Sequence, residues 1–534
     1  MRGHDQSLAR VVSVHAHTMR YTRRAERTLW LLMALAGNVG AQNVSSDQLL
    51  HPGVDSWPQY HGDYSGRRHS GLKQITPQNV AYLGLAWAFQ TNQPGQIKST
   101  PLLVDGVLYF TMVDHIWAVD ARSGHMLWHY NVPTAEGVHI GQRGVAISHG
   151  LIYYLTPDCQ LLALSAKDGA VRWQVSVADV KKGYWTSMAP LVVGEHVIVG
   201  VSGDSDNIPG YLRAYDTQSG AAVWQWISTP VATSRGTTGG MTWMTGTFDP
   251  ELNLLYWGTG NPTPVLSAHI RPGDNRWTCS IVALNPDTGV LVWGFQPSPH
   301  DTHDWDASET PVLVDSDFHG HPRKMLMQAS RNGYFFVLDR VTGKSLLTVP
   351  YGPVNWSLGI DNAGRPIPNP AKEPAPDGRL VAPDEGGLTN YRAPSFDPET
   401  GLFIVNASPS YSLYFSKPSH GDYGWAGADY SLWAKSVLEA IDYQSGAIRW
   451  SHELGTSRSL AGVLTTGSGL TFTGDGYGNM LALDTRTGST LWHSGMGLPM
   501  ESSPITYELD ARQYVVTSSG GIVFTWSLPD IPSP

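Results

Sequence analysis

The sequence predicts an all-β chain folded as an eight-bladed β-propeller, and three observations carry that prediction. A pattern of the form Ala-x-Asp-x-x-x-Gly-x-x-x-Trp returns again and again along the chain. The 534 residues hold 57 Gly, 20 Trp and 23 Tyr against 35 Lys and Arg, a composition of turns and short aromatic strands rather than of long helices. No linker-like boundary divides the chain, although about 150 residues per domain would ask for three or four domains. A ring of blades removes that conflict, because radial packing shares one continuous structure and protects strand edges.

In chain order, residues 1–41 stand apart. Arg20, Arg23, Arg24 and Arg27 precede the apolar run Leu29 to Ala36, and small residues follow at Val39, Gly40 and Ala41. This is the layout of a secretory signal peptide, with Met19 as a possible true start. The apolar run is too short for a bilayer, which needs about 20 residues. The expectation is therefore a periplasmic or secreted protein with no transmembrane segment in its mature chain. Removing the segment takes away six Arg, one Asp and one Glu, which leaves 29 basic and 43 acidic residues and a formal charge of −14. Such an acidic chain lacks the clustered Lys and Arg that hold phosphate backbones, so nucleic acid is not a partner. The two cysteines, Cys159 and Cys279, lie 120 residues apart. Export would permit one disulfide between them; two buried thiols are the other reading. No Cys-x-x-Cys-His motif is present, so a covalent haem domain is absent.

Residues 42–534 are read as a single propeller. The repeats run Ala118, Asp120, Gly124, Trp128; a looser Ala163, Ser165, Gly169, Trp173; Ala214, Asp216, Gly220, Trp224; and Ala283, Asn285, Gly289, Trp293. Val337, Asp339 and Gly343 follow without the tryptophan, then Ala440, Asp442, Gly446, Trp450 and Ala482, Asp484, Gly488, Trp492. Each copy reads as strand, turn, strand: an Asp or Asn opens the turn, Gly supplies the positive φ, and the next strand delivers a tryptophan to its neighbour. Successive copies are 45, 51, 69, 54, 103 and 42 residues apart. Counting the 103-residue interval as two units makes eight, although the two shortest early spacings also suit another ring size. Ring closure is expected to pair the strand Gly521 to Trp526 with strands from the start of the mature chain. Two stretches, 352–394 and 409–432, are too irregular for blade interiors and are expected to be loops over a site, with plain surface elaboration as the alternative.

The densest polar run is Ser298 to Asp306, which contains His300, Asp301, His303, Asp304 and Asp306. Alternation along an extended chain sends Asp304 and Asp306 to one side, and two carboxylates facing one point need a cation or a shared proton between them. Oxygen-rich sets of Asp and Asn favour Ca²⁺, Mg²⁺ or a lanthanide. An ordinary charged turn remains the alternative. Asp204, Ser205, Asp206 and Asn207 follow one strand and Gly258 to Asn261 another; such blade-end loops converge at a propeller's central channel, although each Asp or Asn alone could as well cap a turn.

At these residues the chain resembles a known family, the soluble or periplasmic alcohol dehydrogenases that depend on pyrroloquinoline quinone (PQQ), which are eight-bladed propellers with tryptophan-docking motifs. The likeness covers nearly the whole mature chain. It begins at Trp57 to Tyr60 and Ile75 to Val80, and is strongest at Gly258 to Pro262, Gly273 to Asn275, His300 to Asp306 and Gln328 to Gly333. The resemblance implies that Asp304 is the catalytic base, that Arg331 lies near the quinone carbonyls, that Asn261 ligates a metal and that the cofactor stacks on Trp243. It implies further that Arg143, Ser187, Ser202 and Asn390 bind the cofactor's polar atoms. Three departures stand out. The family's metal-ligating glutamate aligns with Ser205, so Asp204 or Asp206 must supply a carboxylate or the ligand is missing. The cysteine pair that often covers the cofactor aligns with Gly137 and Val138. Asp306 stands where an extra aspartate is characteristic of lanthanide-using members.

The implied activity is oxidation of an alcohol or aldehyde hydrate, with PQQ and either Ca²⁺ or a lanthanide as cofactors. Electrons would leave to an external acceptor such as cytochrome c. The alternatives are a sugar or polyol dehydrogenase, served by the aromatic residues of 409–432, and a noncatalytic propeller that binds or assembles other proteins.

Overall fold

The structure, a computed structural model, describes residues 44–133, 141–205, 207–230, 238–417, 425–456 and 458–529. Residues 1–41, for which an export signal is expected, and Gly137, Val138 and Asp206 lie outside the described residues.

Eight sheets of four antiparallel strands follow one another along the chain, at 102–131, 146–176, 191–227, 247–295, 312–350, 395–455, 464–495 and 505–527, the seventh extended by a parallel pairing of His69–Ser70 with Leu464–Thr466. The last has only three strands of its own, and Gly84–Gln90 completes it by pairing antiparallel with Ile522–Ser527. This is the expected ring closure. It also corrects the count: the eighth blade is the closing one, and the 103-residue interval holds no further blade.

The repeat works as a docking device. Its first residue lies opposite its tryptophan on the neighbouring strand, as Ala118 does Trp128 and Ala283 does Trp293. The Asp or Asn side chain accepts two backbone N–H groups of its turn, as Asp120 does from Arg122 and Ser123. The glycine then takes a φ of about +70°, a left-handed conformation that costs a residue with a Cβ. At six glycines, Gly124, Gly169, Gly220, Gly289, Gly343 and Gly488, a Cβ would also stand only 2.5–2.9 Å from an indole of the preceding blade. Those indoles, Trp87, Trp128, Trp173, Trp224, Trp293 and Trp450, each donate Nε1–H to a backbone carbonyl just past the opening Asp, Asn or Ser, at 2.7–3.2 Å. Apolar side chains fill the interiors between blades, with Leu108, Ile198, Leu255, Leu326 and Phe403 fully buried.

The segment 54–68 circles one end of the channel. Val54 O accepts from Glu508 of the eighth blade, Trp57 pairs with Leu103 of the first, and Tyr64 Oη donates to Val192 O of the third. Backbone N–H groups of Phe248, Leu313, Phe396 and Thr465, on the fourth to seventh blades, then donate in turn to the carbonyls of Tyr64, Ser65, Arg67 and Arg68. The fully buried Arg68 fastens this ring by donating to the carbonyls of Tyr60, Val463 and Pro504.

The stretches expected to be loops are partly strands. Ser410–Ser416 and Gly427–Ala434 form a hairpin, and Arg379–Val381 joins it to make a three-stranded sheet outside the blades. Ser357–Ile360 and Pro366–Pro368 pair as a second small ribbon. His420 and Tyr423 lie outside the described residues. Cys159 and Cys279 are separate, fully buried free thiols, and burial pushes Cys159 up to about 12, so both are inert packing residues rather than a disulfide.

Candidate active site

The chemistry-bearing residues sit on loops at the end of the blades where the innermost strands begin and the second strands finish, and Tyr60 of the circling segment reaches them. Arg143, Ser187, Trp243, the pair Asp304 and Asp306, and Asn390 precede the innermost strands of five successive blades, and Ser202, Asp204, Asn261 and Arg331 follow second strands.

The His300–Asp306 segment is shaped by Asp301 and Trp305. The Asp301 carboxylate accepts the backbone N–H groups of His303, Asp304 and Trp305 at 3.0–3.4 Å, and the fully buried Arg271 donates to its carbonyl oxygen. Burial pushes the Asp301 carboxyl up to about 6, against the pull of Arg271. Trp305 is fully buried, stacks on His303 and donates Nε1–H to Asp384 O at 3.0 Å. Between these anchors Asp304 is held at φ +69°, a strained conformation for a non-glycine residue. His303 is no base in this frame: burial lowers it to about 4, and its Nε2 lies 2.9 Å from Lys372 O.

Asp304 and Asp306 do face one point, and the cation between them is a guanidinium. Arg331 Nη2 donates to Asp304 Oδ2 at 2.6 Å and Nη1 to Asp306 Oδ2 at 3.0 Å. Trp243 Nε1 donates to the same Asp306 oxygen at 2.9 Å, and Asn261 N to Asp306 Oδ1 at 2.5 Å. One carboxylate thus ties together the indole, the arginine and the Asn261 loop. Burial raises the carboxyls of Asp304 and Asp306, while Arg331 pulls them the other way. Burial works against the Arg331 charge, yet Asp304, Asp306 and Glu385 hold it firmly protonated. Asp204 stands at the edge with its side chain still accessible; surrounding protein and then the charge of Asp306 raise its carboxyl. Among the described residues no three His, Cys, Asp or Glu side chains converge as a ready metal cage.

On the other side of the indole, the Arg143 guanidinium lies between two rings, 5.0 Å from Trp243 and 4.9 Å from Tyr391. It donates to Ser187 Oγ at 2.5 Å, while its Nε and the buried Ser202 Oγ have no partner. Asn390 is spent locally, donating to Gly386 O and accepting from Tyr391 N. Tyr60, Ala189, Met244 and Tyr391 complete an apolar cradle around Trp243.

Sequence reasoning missed Tyr391, Arg271 and Glu385. Tyr391 adjoins a residue already singled out, and Arg271 precedes the Gly273 motif, but nothing in the spacing of Glu385 distinguishes it from its loop. Its carboxylate takes Arg331 Nη2 at 2.8 Å, beside Asp304.

The family model for the PQQ-type glucose/ethanol/alcohol dehydrogenase beta-propeller domain matches residues 57–363 and 431–515. The chain is 34% identical over 516 residues to the quinoprotein alcohol dehydrogenase PedH of Pseudomonas putida, across 86% of each chain. It is 31% identical over 569 residues to a lanthanide-dependent methanol dehydrogenase of Methylacidiphilum fumariolicum, across 93% of this chain and 91% of that one. The crystal structure of the quinohemoprotein alcohol dehydrogenase from Comamonas testosteroni aligns with a TM-score of 0.86 at 30% identity, covering 94% of this chain and 85% of the other. With sequence and fold agreeing along nearly the whole propeller, the chain belongs to the PQQ-dependent alcohol dehydrogenases and oxidises an alcohol, passing the electrons to an external acceptor.

Proposed function

We propose that Asp304 accepts the hydroxyl proton of the alcohol and that Arg331 donates to the oxygen on which negative charge gathers. The chemistry that PQQ would supply when bound is a two-electron, electrophilic quinone acceptor for the hydride that leaves the alcohol carbon. Trp243 would offer the face on which this flat group stacks, and Arg143, Ser187 and Ser202 would hydrogen-bond its carboxylates and neighbouring oxygens; Asn390 could add a further polar contact only through the amide hydrogen not given to Gly386 O. Two features of the slot fit such a ligand. A planar guanidinium already lies between Trp243 and Tyr391, and Arg143 Nε and Ser202 Oγ are buried without partners. The observation that carries the reading is the single Arg331 bound to both Asp304 and Asp306, with Trp243 on the same Asp306 oxygen.

Asp204, Asn261, Asp304 and Asp306, with Asp206 a further candidate, are the oxygen ligands proposed for Ca²⁺ or a lanthanide, and they would have to draw together on the ion, since no three carboxylates converge among the described residues. The raised carboxyls support this, since a cation would relieve the burial of their charge. The Asn261 amide nitrogen donates to Pro262 O, which leaves its oxygen end as the ligand. Asp306 must exchange one of its three donors to take a cation. Residues 1–41 act as an export signal to the periplasm, and a cytochrome c is the proposed acceptor. No helix among the described residues is long and apolar enough to cross a membrane.

The test is reconstitution of the purified mature chain with PQQ and either Ca²⁺ or La³⁺, followed by quinone absorbance and turnover on a panel of alcohols, aldehydes, polyols and sugars. Alcohol turnover dependent on both cofactors is the expected result; absence of bound PQQ under both metals would sink the assignment. Preference for sugars over simple alcohols would move the substrate class.

A further inference from the structure

We propose that Glu385 is a positioning residue for Arg331, and that the turn Pro383-Asp384-Glu385-Gly386-Gly387 is built as a clamp on that guanidinium. The proposal rests on the placing of Arg331 at the cofactor's edge.

Arg331 is gripped by Glu385 through two kinds of acceptor. Its Nη2 donates to Glu385 Oε1 at 2.8 Å, and its Nε and Nη2 donate to the Glu385 carbonyl oxygen at 3.1 and 2.8 Å. The turn that offers both acceptors has no freedom to move away. Gly387 N donates to Asp384 O, closing the turn, and Leu388 N donates to Arg331 O at 2.9 Å. Asp384 is held at three groups: its Oδ2 takes Arg458 and Ser431, its N–H goes to Ser410 Oγ, and its carbonyl accepts the Trp305 indole, while Oδ1 is buried without a partner. Gly387 sits at φ +75°, and a Cβ there would strike Arg331 Cγ; one on Gly386 would strike the Arg458 guanidinium. Two adjacent glycines thus let the main chain close on two arginines.

The adjacent acids have separate tasks. Asp384 is buried and anchors the turn, whereas Glu385 reaches the mouth, its side chain 35% exposed against 10% for Asp304 and 4% for Asp306. Arg331 Nη2 is shared between Asp304 and Glu385. When Asp304 turns from that nitrogen to meet a substrate hydroxyl, Glu385 remains, and the planar fork keeps its aim instead of following Asp304. A lone buried guanidinium would otherwise lose a charge-assisted bond at the moment its direction matters.

The experiment is a double-mutant cycle on the full mature chain with E385Q, R331K and the pair. It is read first on PQQ affinity, by quenching of tryptophan fluorescence, and then on ethanol turnover with an artificial acceptor. E385Q is expected to weaken PQQ and lower kcat by about ten- to a hundredfold, the range for one charge-assisted bond, with KM for ethanol nearly unchanged. E385D, which keeps the charge, is expected to recover most of this loss. The pair is expected to be no worse than R331K alone, because Glu385 acts through Arg331. Wild-type affinity and kcat in E385Q, or losses that multiply with those of R331K, would overturn the clamp. Should E385Q fold poorly by thermal melting, the cycle is run with E385A, which removes the same charge, and losses that multiply with those of R331K overturn the proposal equally. If the wild-type chain binds PQQ but oxidises no alcohol, the catalytic reading fails while the binding cycle still decides the clamp.

Discussion

The junction between the fourth and fifth blades and the one between the fifth and sixth solve one packing problem in two ways. In the first, Trp293 lies on Gly343 and donates to Arg340 O. In the second, the tryptophan position is Leu347, opposite Val337, and Leu347 and Val349 meet Gly446 instead. Hydrogen bonds there come from elsewhere: Tyr443 Oη donates to Asp317 O at 2.5 Å, and His319 Nε2 lies 2.8 Å from Gln444 O. Phe318, Phe396 and Tyr443 fill the interface with ring contacts. The strand that lacks the tryptophan, Ser345–Pro350, leads directly into 351–394, the insertion that brings Asp384, Glu385 and Asn390 to the site. Docking by indole is therefore dispensable where the interface is otherwise filled, and the break in the repeat falls where the chain departs to build chemistry.

That separation of girdle from site predicts which property each substitution touches. Asp304→Asn is expected to lower turnover by about a thousandfold, within the range for loss of a general base, while thermal stability and PQQ retention hold; unchanged turnover with an artificial acceptor would remove Asp304 from the base role. Trp243→Ala is expected to lose PQQ on gel filtration without unfolding, seen as missing quinone absorbance in the protein peak. Trp293→Ala should do the reverse, lowering stability by about 2–4 kcal/mol in a denaturant titration and leaving the cofactor's affinity near wild type.

A smaller effect tests the sixth blade through pH. Glu439 is 6% exposed with one carboxylate oxygen unpartnered, and burial pushes it up from its ordinary 4.5 to about 8. The native state therefore keeps a proton between those values that the unfolded chain releases, so this residue's contribution to stability falls as pH rises through the window and levels off above about 8. Glu439→Gln is expected to raise the unfolding free energy relative to wild type at pH 8, by about 1–2 kcal/mol in a denaturant titration, and hardly at pH 5. Smallest of all, Leu347→Trp restores the indole opposite Val337, with the Tyr443 carbonyl in the acceptor position; a change within about 1 kcal/mol is expected, and a large loss would show that Val349 already fills the groove.

The repeats were legible because each is local: an Asp or Asn turn, a left-handed glycine and a tryptophan fall within one short stretch, and their hydrogen bonds lie within it or reach the adjoining blade. Asp304 and Asp306 were legible as a pair of carboxylates facing one side, whereas Arg331 and Trp243 were named only through the family resemblance. The guanidinium between Asp304 and Asp306 was not legible, because it arrives from 25 residues further on, after the next blade's second strand. Glu385 was hidden for the same reason, in a stretch whose proline and glycine content marks a loop but not what the loop holds. The hairpin strands at 410–416 and 427–434 were misjudged because they join a strand some thirty residues earlier rather than a blade, so no repeat marks them.

The sequence by itself determined an acidic, all-β chain made of repeated strand-turn-strand units, and the inventory of carboxylates, arginines and aromatics that a quinone site needs. Backbone conformation and side-chain chemistry are local properties, so they can be read residue by residue. Tertiary structure alone decided that the eighth blade closes with Gly84–Gln90, that residues 54–68 circle the channel, and that Asp304, Asp306 and Glu385 share one arginine. Those are meetings of segments tens to hundreds of residues apart, and they are set by the ring as a whole, which brings loops from different blades to the same end of one channel.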